Sequence, residues 1–226
     1  MTKVLFNRNK PVIGNSIEEP SQELIETSLN LRQVSLEDAV RYGGPITKAA
    51  LGAMNFRGDR KYIIVDTKVH LLMPKFTPAI PGWHTDGVPR GVEMDPAGKG
   101  KPNLRSQEEG LVTAPRYHLM TTGDFCPTTF MTEPTEFDVD LELNSDLYKN
   151  ITEQANAMGE FPTMEAPAST IVEWDWWNVH TAIPSRGRGW RYLIRAAETD
   201  YIPPRTNPAD FIRTQNQVYV SPEFGW

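Results

Sequence analysis

Alternation is the feature that most limits what this chain can fold into. In the run KYIIVDTKVHLLM, from Lys61 to Met73, the residues Ile63, Val65, Thr67, Val69 and Leu71 occupy every second position. A period of two puts them on one face of a strand. Tyr62, Ile64, Asp66, Lys68 and His70 take the other face, which is mixed. The run from Glu136 to Leu143 alternates more cleanly, with Phe137, Val139, Leu141 and Leu143 opposing Glu136, Asp138, Asp140 and Glu142. That is the pattern of a half-buried strand with an acidic, solvated face. A strand with one apolar face must bury it against another layer, so such runs require packed sheets.

Further strands are expected at 117–122, 128–131, 170–181, 190–197 and 217–220, punctuated by Pro and Gly. Helical signals precede them. Ser21 can cap a helix through about Arg32, with Leu24, Ile25 and Leu29 on one side. Ser35 can cap the next, with Glu37 and Asp38 in its first turn, before Gly43-Gly44-Pro45 breaks it. Pro45 suits the first turn of a third helix, through Met54. Later, Asn144 or Ser145 can cap a helix carrying Leu147, Ile151, Ala155 and Met158. Helices followed by many short strands predict a single, mostly β domain, a barrel or a double-sheet jelly roll.

Composition narrows the function. The chain of 226 residues is long enough for a self-sufficient core. No stretch reaches the ~18 apolar residues of a transmembrane helix, and no apolar segment of a signal peptide follows Met1. The net charge of −6 argues against a broad basic surface for duplex nucleic acid. Cys126 is the only cysteine, which excludes an internal disulfide and a cysteine-cluster metal site. A reducing, cytoplasmic location is expected.

Four histidines can each be weighed. His84 and Asp86, in Pro-Gly-Trp-His-Thr-Asp-Gly, are two apart. On an extended segment both side chains leave one face, as two adjacent ligands of one metal ion require. His180 is the best candidate for a third ligand, and two His with one carboxylate form the facial triad of non-heme Fe(II) oxygenases. His70 is read as a surface residue, and His118 as structural or substrate-side. On the strand at 190–197, Arg191, Leu193 and Arg195 share a face. Two inward arginines are costly unless an anion meets them, and an Arg fork suits a carboxylate.

The pattern His84-Thr-Asp86, His180 and Arg191 resembles the Fe(II)/2-oxoglutarate-dependent oxygenases. The segments Trp174–Pro184 and Arg191–Arg195 look most like the taurine-dioxygenase-type branch. The resemblance covers roughly His70 to Thr199. It implies a double-stranded β-helix (jelly-roll, cupin-like) core over 61–200, between a helical section, 1–60, and a C-terminal extension, 201–226. It implies iron held by His84, Asp86 and His180, and 2-oxoglutarate paired with Arg191, with Arg195 near the co-substrate's other end. Thr113, Thr121 and Thr122 are each candidates to assist the co-substrate. O2 would be the oxidant, with succinate and CO2 as products. Halogenating members carry a small residue in place of this carboxylate, so Asp86 implies hydroxylation, demethylation or desaturation.

The long segment from Gly87 to Pro115 is expected to close over the site. Arg90 on it is a candidate for an anionic substrate, and Trp83 and Trp177 are candidates for substrate contact. A small molecule or nucleotide is the expected substrate class, with a protein side chain still open. The competing readings are a cupin-type metal-dependent isomerase or lyase, whose usual His-x-His this chain lacks, and a non-catalytic jelly-roll binding module.

Overall fold

The computed structural model describes residues 1–87, 103–141 and 146–220. Two strands open the chain, β1 (Thr2–Phe6) and β2 (Val12–Ser16), in the section expected to be helical. Helix α1 (Gln22–Glu26) starts as its cap predicts, with Ser21 Oγ accepting from the Leu24 N–H at 3.2 Å. It ends far short of Arg32. The Thr27 and Ser28 hydroxyls donate to the carbonyls of Glu23 and Leu24, competing with the helical ladder. Asn30 and Leu31 are then drawn into a short strand, β3 (Asn30–Leu31). The Thr67 hydroxyl accepts from the Leu31 N–H at 2.8 Å, and Asn30 Oδ1 accepts from the Val69 N–H at 2.5 Å.

β4 (Val34–Ser35) leads into α2 (Leu36–Tyr42), capped by Ser35, and α3 (Gly44–Ala53), with Pro45 in its first turn. There follow β5 (Tyr62–Leu72), β6 (Phe76–Thr77), α4 (Leu104–Glu108), β7 (Arg116–Thr121), β8 (Thr128–Met131) and β9 (Thr135–Val139). Then come α5 (Leu147–Met158), β10 (Thr163–Glu165), β11 (Thr170–Asp175), β12 (His180–Ala182) and β13 (Gly189–Thr199). The chain closes with α6 (Pro208–Phe211), β14 (Ile212–Arg213) and β15 (Tyr219–Val220). The cap expected at Asn144 or Ser145 lies outside the described residues, and α5 begins after Asp146.

The strand expected over 170–181 is broken in two. Asp175 Oδ1 accepts from the Trp177 N–H, and Asn178 Oδ1 accepts from the Asp175 N–H. These side-chain bonds close a turn, and His180 emerges in a different sheet from Trp174.

Among the described residues the strands named above pair antiparallel. The large sheet runs β2-β11-β7-β13-β5-β4, and a smaller one runs β10-β8-β12. Two-stranded pairs join β1 to β9, β3 to β14 and β6 to β15. The large sheet has an apolar layer on each face. On one side Met120, Tyr192, Ile194 and Val65 meet Ile25, Ala39, Ile46 and Ala50 of the helices. On the other, Tyr117, Val172 and Trp174 meet Phe130 and Met131 of the small sheet, with Phe6 and Phe137 beyond. The Phe130 and Trp174 rings sit 5.4 Å apart, edge to face, across the gap between sheets. The protein is therefore mostly β, with a large antiparallel sheet and few helices. Among the described residues no helix is long and apolar enough to cross a membrane.

Phe6 is fully buried and contacts both Phe137 and Trp177 edge-on at 5.6 Å. The first strand therefore belongs to the core. Phe6→Ala is expected to cost about 3–5 kcal/mol of unfolding free energy, read from the denaturant midpoint at unchanged slope.

Candidate metal centre and its cavity

A single backbone bridge brings the first two candidate ligands together. The His84 N–H donates to the His180 carbonyl at 3.0 Å, and the His180 N–H returns the bond to His84 at 2.9 Å. Directly opposed residues in such a pair project to the same side, and the two imidazole centroids stand 4.5 Å apart. On its other edge His180 pairs with Phe130 of β8, so the His84 segment extends the small sheet. The His180 ring packs against Phe130 and Trp174, at 5.3 and 5.6 Å. Asp86, two residues beyond His84, completes the group. One ligand atom from each of His84, Asp86 and His180 lies within 4.8 Å of the others.

The hydrogen bonds select the tautomers. His180 Nδ1 contacts the Asn178 carbonyl at 3.0 Å, and His84 Nδ1 contacts the Gly82 carbonyl at 3.2 Å. A carbonyl can only accept, so each Nδ1 carries a proton that it donates. His180 Nε2 lies 3.7 Å from Asp86 Oδ2, too far for a hydrogen bond. Burial pushes the His180 pKa down, partly offset by the Asp86 charge, so the ring is neutral and fit to ligate.

Two glycines bracket the pair. Gly82 has φ +124° and Gly87 has φ +95°. A Cβ at Gly82 would lie 2.8 Å from the Thr152 hydroxyl, and one at Gly87 would lie 2.8 Å from the Tyr117 hydroxyl. Both turns accordingly demand glycine.

Arg195 lies beside Asp86, on the metal side of the cavity. Its guanidinium lies between two carboxylates, donating to Asp86 Oδ1 at 2.8 Å and to Asp66 Oδ2 at 3.2 Å. The Asp86 charge is the main cause of its raised pKa. Asp66 is anchored in turn by the Gln33 N–H at 3.0 Å. Arg195 thus orients the Asp86 carboxylate and leaves its Oδ2 on the imidazole side.

Arg191 behaves differently. It is fully buried, and its Nε donates to the Cys126 carbonyl at 2.7 Å. Both terminal nitrogens lack a hydrogen-bond partner among the described residues. Burial lowers its pKa, and no carboxylate among the described residues compensates it. Arg191 and Arg195 share the inner face of β13, about 13 Å apart along the strand. Both line one cavity of about 590 Å³ together with His84, Asp86 and His180, a volume typical of a small-ligand site.

Several sequence readings change here. His70 is not a surface residue: it is only 3% exposed, sits opposite Arg191 across β5–β13 and lines the cavity. The mixed face of β5 is the cavity wall, because Asp66, Lys68 and His70 oppose Arg195, Leu193 and Arg191. Burial first, then Arg191 and Lys68, depress the His70 pKa to about 3. Trp83 and Trp177 do not contribute to the wall. Trp177 packs on Phe6 with the Arg8 guanidinium 3.5 Å above its ring, and Trp83 packs on Phe161. Trp174 lines the cavity instead. His118 lies on the opposite sheet face, 3.1 Å from Glu198, and is structural. Of the three threonines, only Thr121 brings a buried, unpartnered hydroxyl to the inner face, opposite Leu193. Thr122 accepts from the Tyr192 N–H, and the Thr113 carbonyl accepts from Tyr201. Arg90 lies outside the described residues. The returning end of its segment is tied to the site by Gln107, which donates to the Gly87 carbonyl at 3.4 Å.

Sequence reasoning missed the far wall, where Arg32, Arg213, Gln215 and Gln217 line the cavity. It also missed Asp66 as the partner of Arg195. A mixed face on a strand flanked on both sides was the available signal. No protein-family model, curated protein or solved structure matches this chain.

Removing the guanidinium by Arg195→Met is expected to weaken Mn(II) binding about 10- to 100-fold, measured calorimetrically. His70 predicts an acid-sensitive fold. Its folded pKa lies below its unfolded value, so the unfolded chain binds the extra proton. Stability is then full above about pH 6.5 and falls toward pH 3, by up to about 1.4 kcal/mol per pH unit. His70→Leu should flatten that limb in denaturation curves taken across this range.

Proposed function

We propose that this protein is a non-heme Fe(II)- and 2-oxoglutarate-dependent oxygenase on a double-stranded β-helix core, hydroxylating or oxidatively demethylating its substrate. The two facing antiparallel sheets, with the site between them, support that core. One observation carries the activity. A fully buried guanidinium with two open donors, Arg191, lines the same cavity as the His84–Asp86–His180 cluster. A metal cluster alone fits many enzymes, but an uncompensated buried cation beside it requires an anionic partner.

The donor set fits a divalent iron. Two imidazoles and one carboxylate, from His84, His180 and Asp86, would hold the ion and leave room on the cavity side for other ligands. When bound, Fe(II), 2-oxoglutarate and O2 supply oxidative decarboxylation to succinate and CO2, coupled to oxygenation of a substrate C–H bond. The chain's own part is positioning. The Asn178 and Gly82 carbonyls orient the imidazoles, and Arg195 aims Asp86 through its hydrogen bond. The Arg191 fork would take the distal carboxylate of the co-substrate in a bidentate pair. Thr121 offers a hydroxyl on the same face. The apolar walls of Trp174, Leu119 and Leu193 limit water near the reacting centre.

Mn(II)-loaded protein should bind 2-oxoglutarate, and the Fe(II) form with ascorbate should release succinate. Arg191→Ala is expected to weaken 2-oxoglutarate binding about 10- to 100-fold with Mn(II) affinity retained, whereas His84→Ala should lose the metal. Metal binding with no 2-oxoglutarate affinity would favour the cupin-type isomerase or lyase. Absence of both would leave a binding module.

A further inference from the structure

The cavity holds more positive charge than the proposed centre uses. Among the described residues its wall carries five cationic side chains, Arg32, Lys68, Arg191, Arg195 and Arg213, against two carboxylates, Asp66 and Asp86. Arg195 engages both carboxylates. On the oxygenase reading a divalent ion and a doubly charged co-substrate would offset each other, with Arg191 engaged by the co-substrate. Arg32, Lys68 and Arg213 remain, and none of them makes an ion pair within the described residues.

These three come from separate parts of the chain, yet the fold gathers them. Arg213 sits directly opposite Asn30 in the β3–β14 pair. Arg32 follows Asn30 by two residues, so on the extended segment it shares that face. Lys68 projects from the inner face of β5, which β3 adjoins through the bond from the Leu31 N–H to Thr67. The Lys68 pKa is held below its ordinary value by burial and then by Arg195, against the opposing pull of Asp66 and Asp86. All three side chains are exposed at this end of the cavity, so their charges are open to an incoming anion. Gln215 and Gln217 add uncharged hydrogen-bonding groups to the same wall.

We propose that the substrate is a small anionic molecule whose phosphate or carboxylate group is held by Arg32, Lys68 and Arg213, at the β3–β14 end of the cavity. The remainder of the molecule extends toward His84, Asp86 and His180. The role of the triad rests on the oxygenase reading; the anion subsite stands on charge placement alone.

The test uses the metal-free full chain, so that it is independent of that reading. Inorganic phosphate and acetate are titrated calorimetrically into the wild type and into Arg32→Ala, Arg213→Ala, Arg213→Lys and Arg191→Ala. The expected result is saturable binding of at least one anion, weakened about tenfold or more by Arg32→Ala and Arg213→Ala. Arg213→Lys should retain much of it. The open Arg191 fork can itself take an anion in the metal-free chain, so the Arg32- and Arg213-dependent component is the one that should persist in Arg191→Ala. Tighter phosphate binding assigns a phosphate ester, and tighter acetate binding a carboxylate. No binding of either anion would overturn the proposal. So would binding that survives both substitutions, or binding lost only in Arg191→Ala, which would place the anion at the co-substrate position. Loss of Mn(II) binding in His84→Ala, measured separately, bears on the metal centre alone.

Discussion

Two reciprocal backbone hydrogen bonds between His84 and His180 are the constraint on which the rest depends. They join a segment at the start of the cavity to a strand almost a hundred residues later, and set both imidazoles on one side. Backbone pairing is well suited to this task. It fixes direction without involving the side chains, which remain available for a ligand. The surrounding devices serve this bridge. Gly82 and Gly87 allow the chain to turn sharply on either side of it. The Asp175 and Asn178 side chains end β11 so that His180 can enter the small sheet.

β13 connects the site to the stability of the whole. Its outward residues, Tyr192 and Ile194, anchor the helical layer, while its inward arginines reach the cavity. One strand thus bears the apolar contacts that hold it in place and the charges that it must hold there. A buried, incompletely partnered guanidinium is unfavourable by itself, since each donor removed from water and left unpaired costs on the order of 1–3 kcal/mol. The two apolar layers on either side of the large sheet carry that cost. The site is therefore strained electrostatically in a direction that an incoming anion relieves.

The elements legible in sequence were those encoded locally. The Ser21 and Ser35 caps, the Pro45 helix start and the alternation of β5, β9 and β13 all follow from neighbours a few residues apart. The His84–Asp86 spacing and the shared face of Arg191 and Arg195 belong to the same category. Illegible features were those set by distant partners. Nothing near Asn30 and Leu31 announces that Thr67 and β14 will draw them out of a helix. Thr2–Phe6 becomes a strand because β9 offers it an edge and Phe137 and Trp177 offer it a pocket. His70 reads as solvated because Asp66 and Lys68 flank it at period two. Only the pairing of β5 with β13 turns that polar face inward.

The sequence alone therefore determined which chemistry the chain can carry: two imidazoles, a carboxylate two residues from one of them, and a pair of arginines on one strand face. Tertiary structure decided what each group meets. It assigned Arg195 to Asp86 and Asp66, left Arg191 with open donors, moved Trp177 into the core and brought Arg32 and Arg213 to the same wall. The physical reason is range. Strand period and caps act over a few residues, whereas charge compensation acts through space between segments that only the completed sheet brings together.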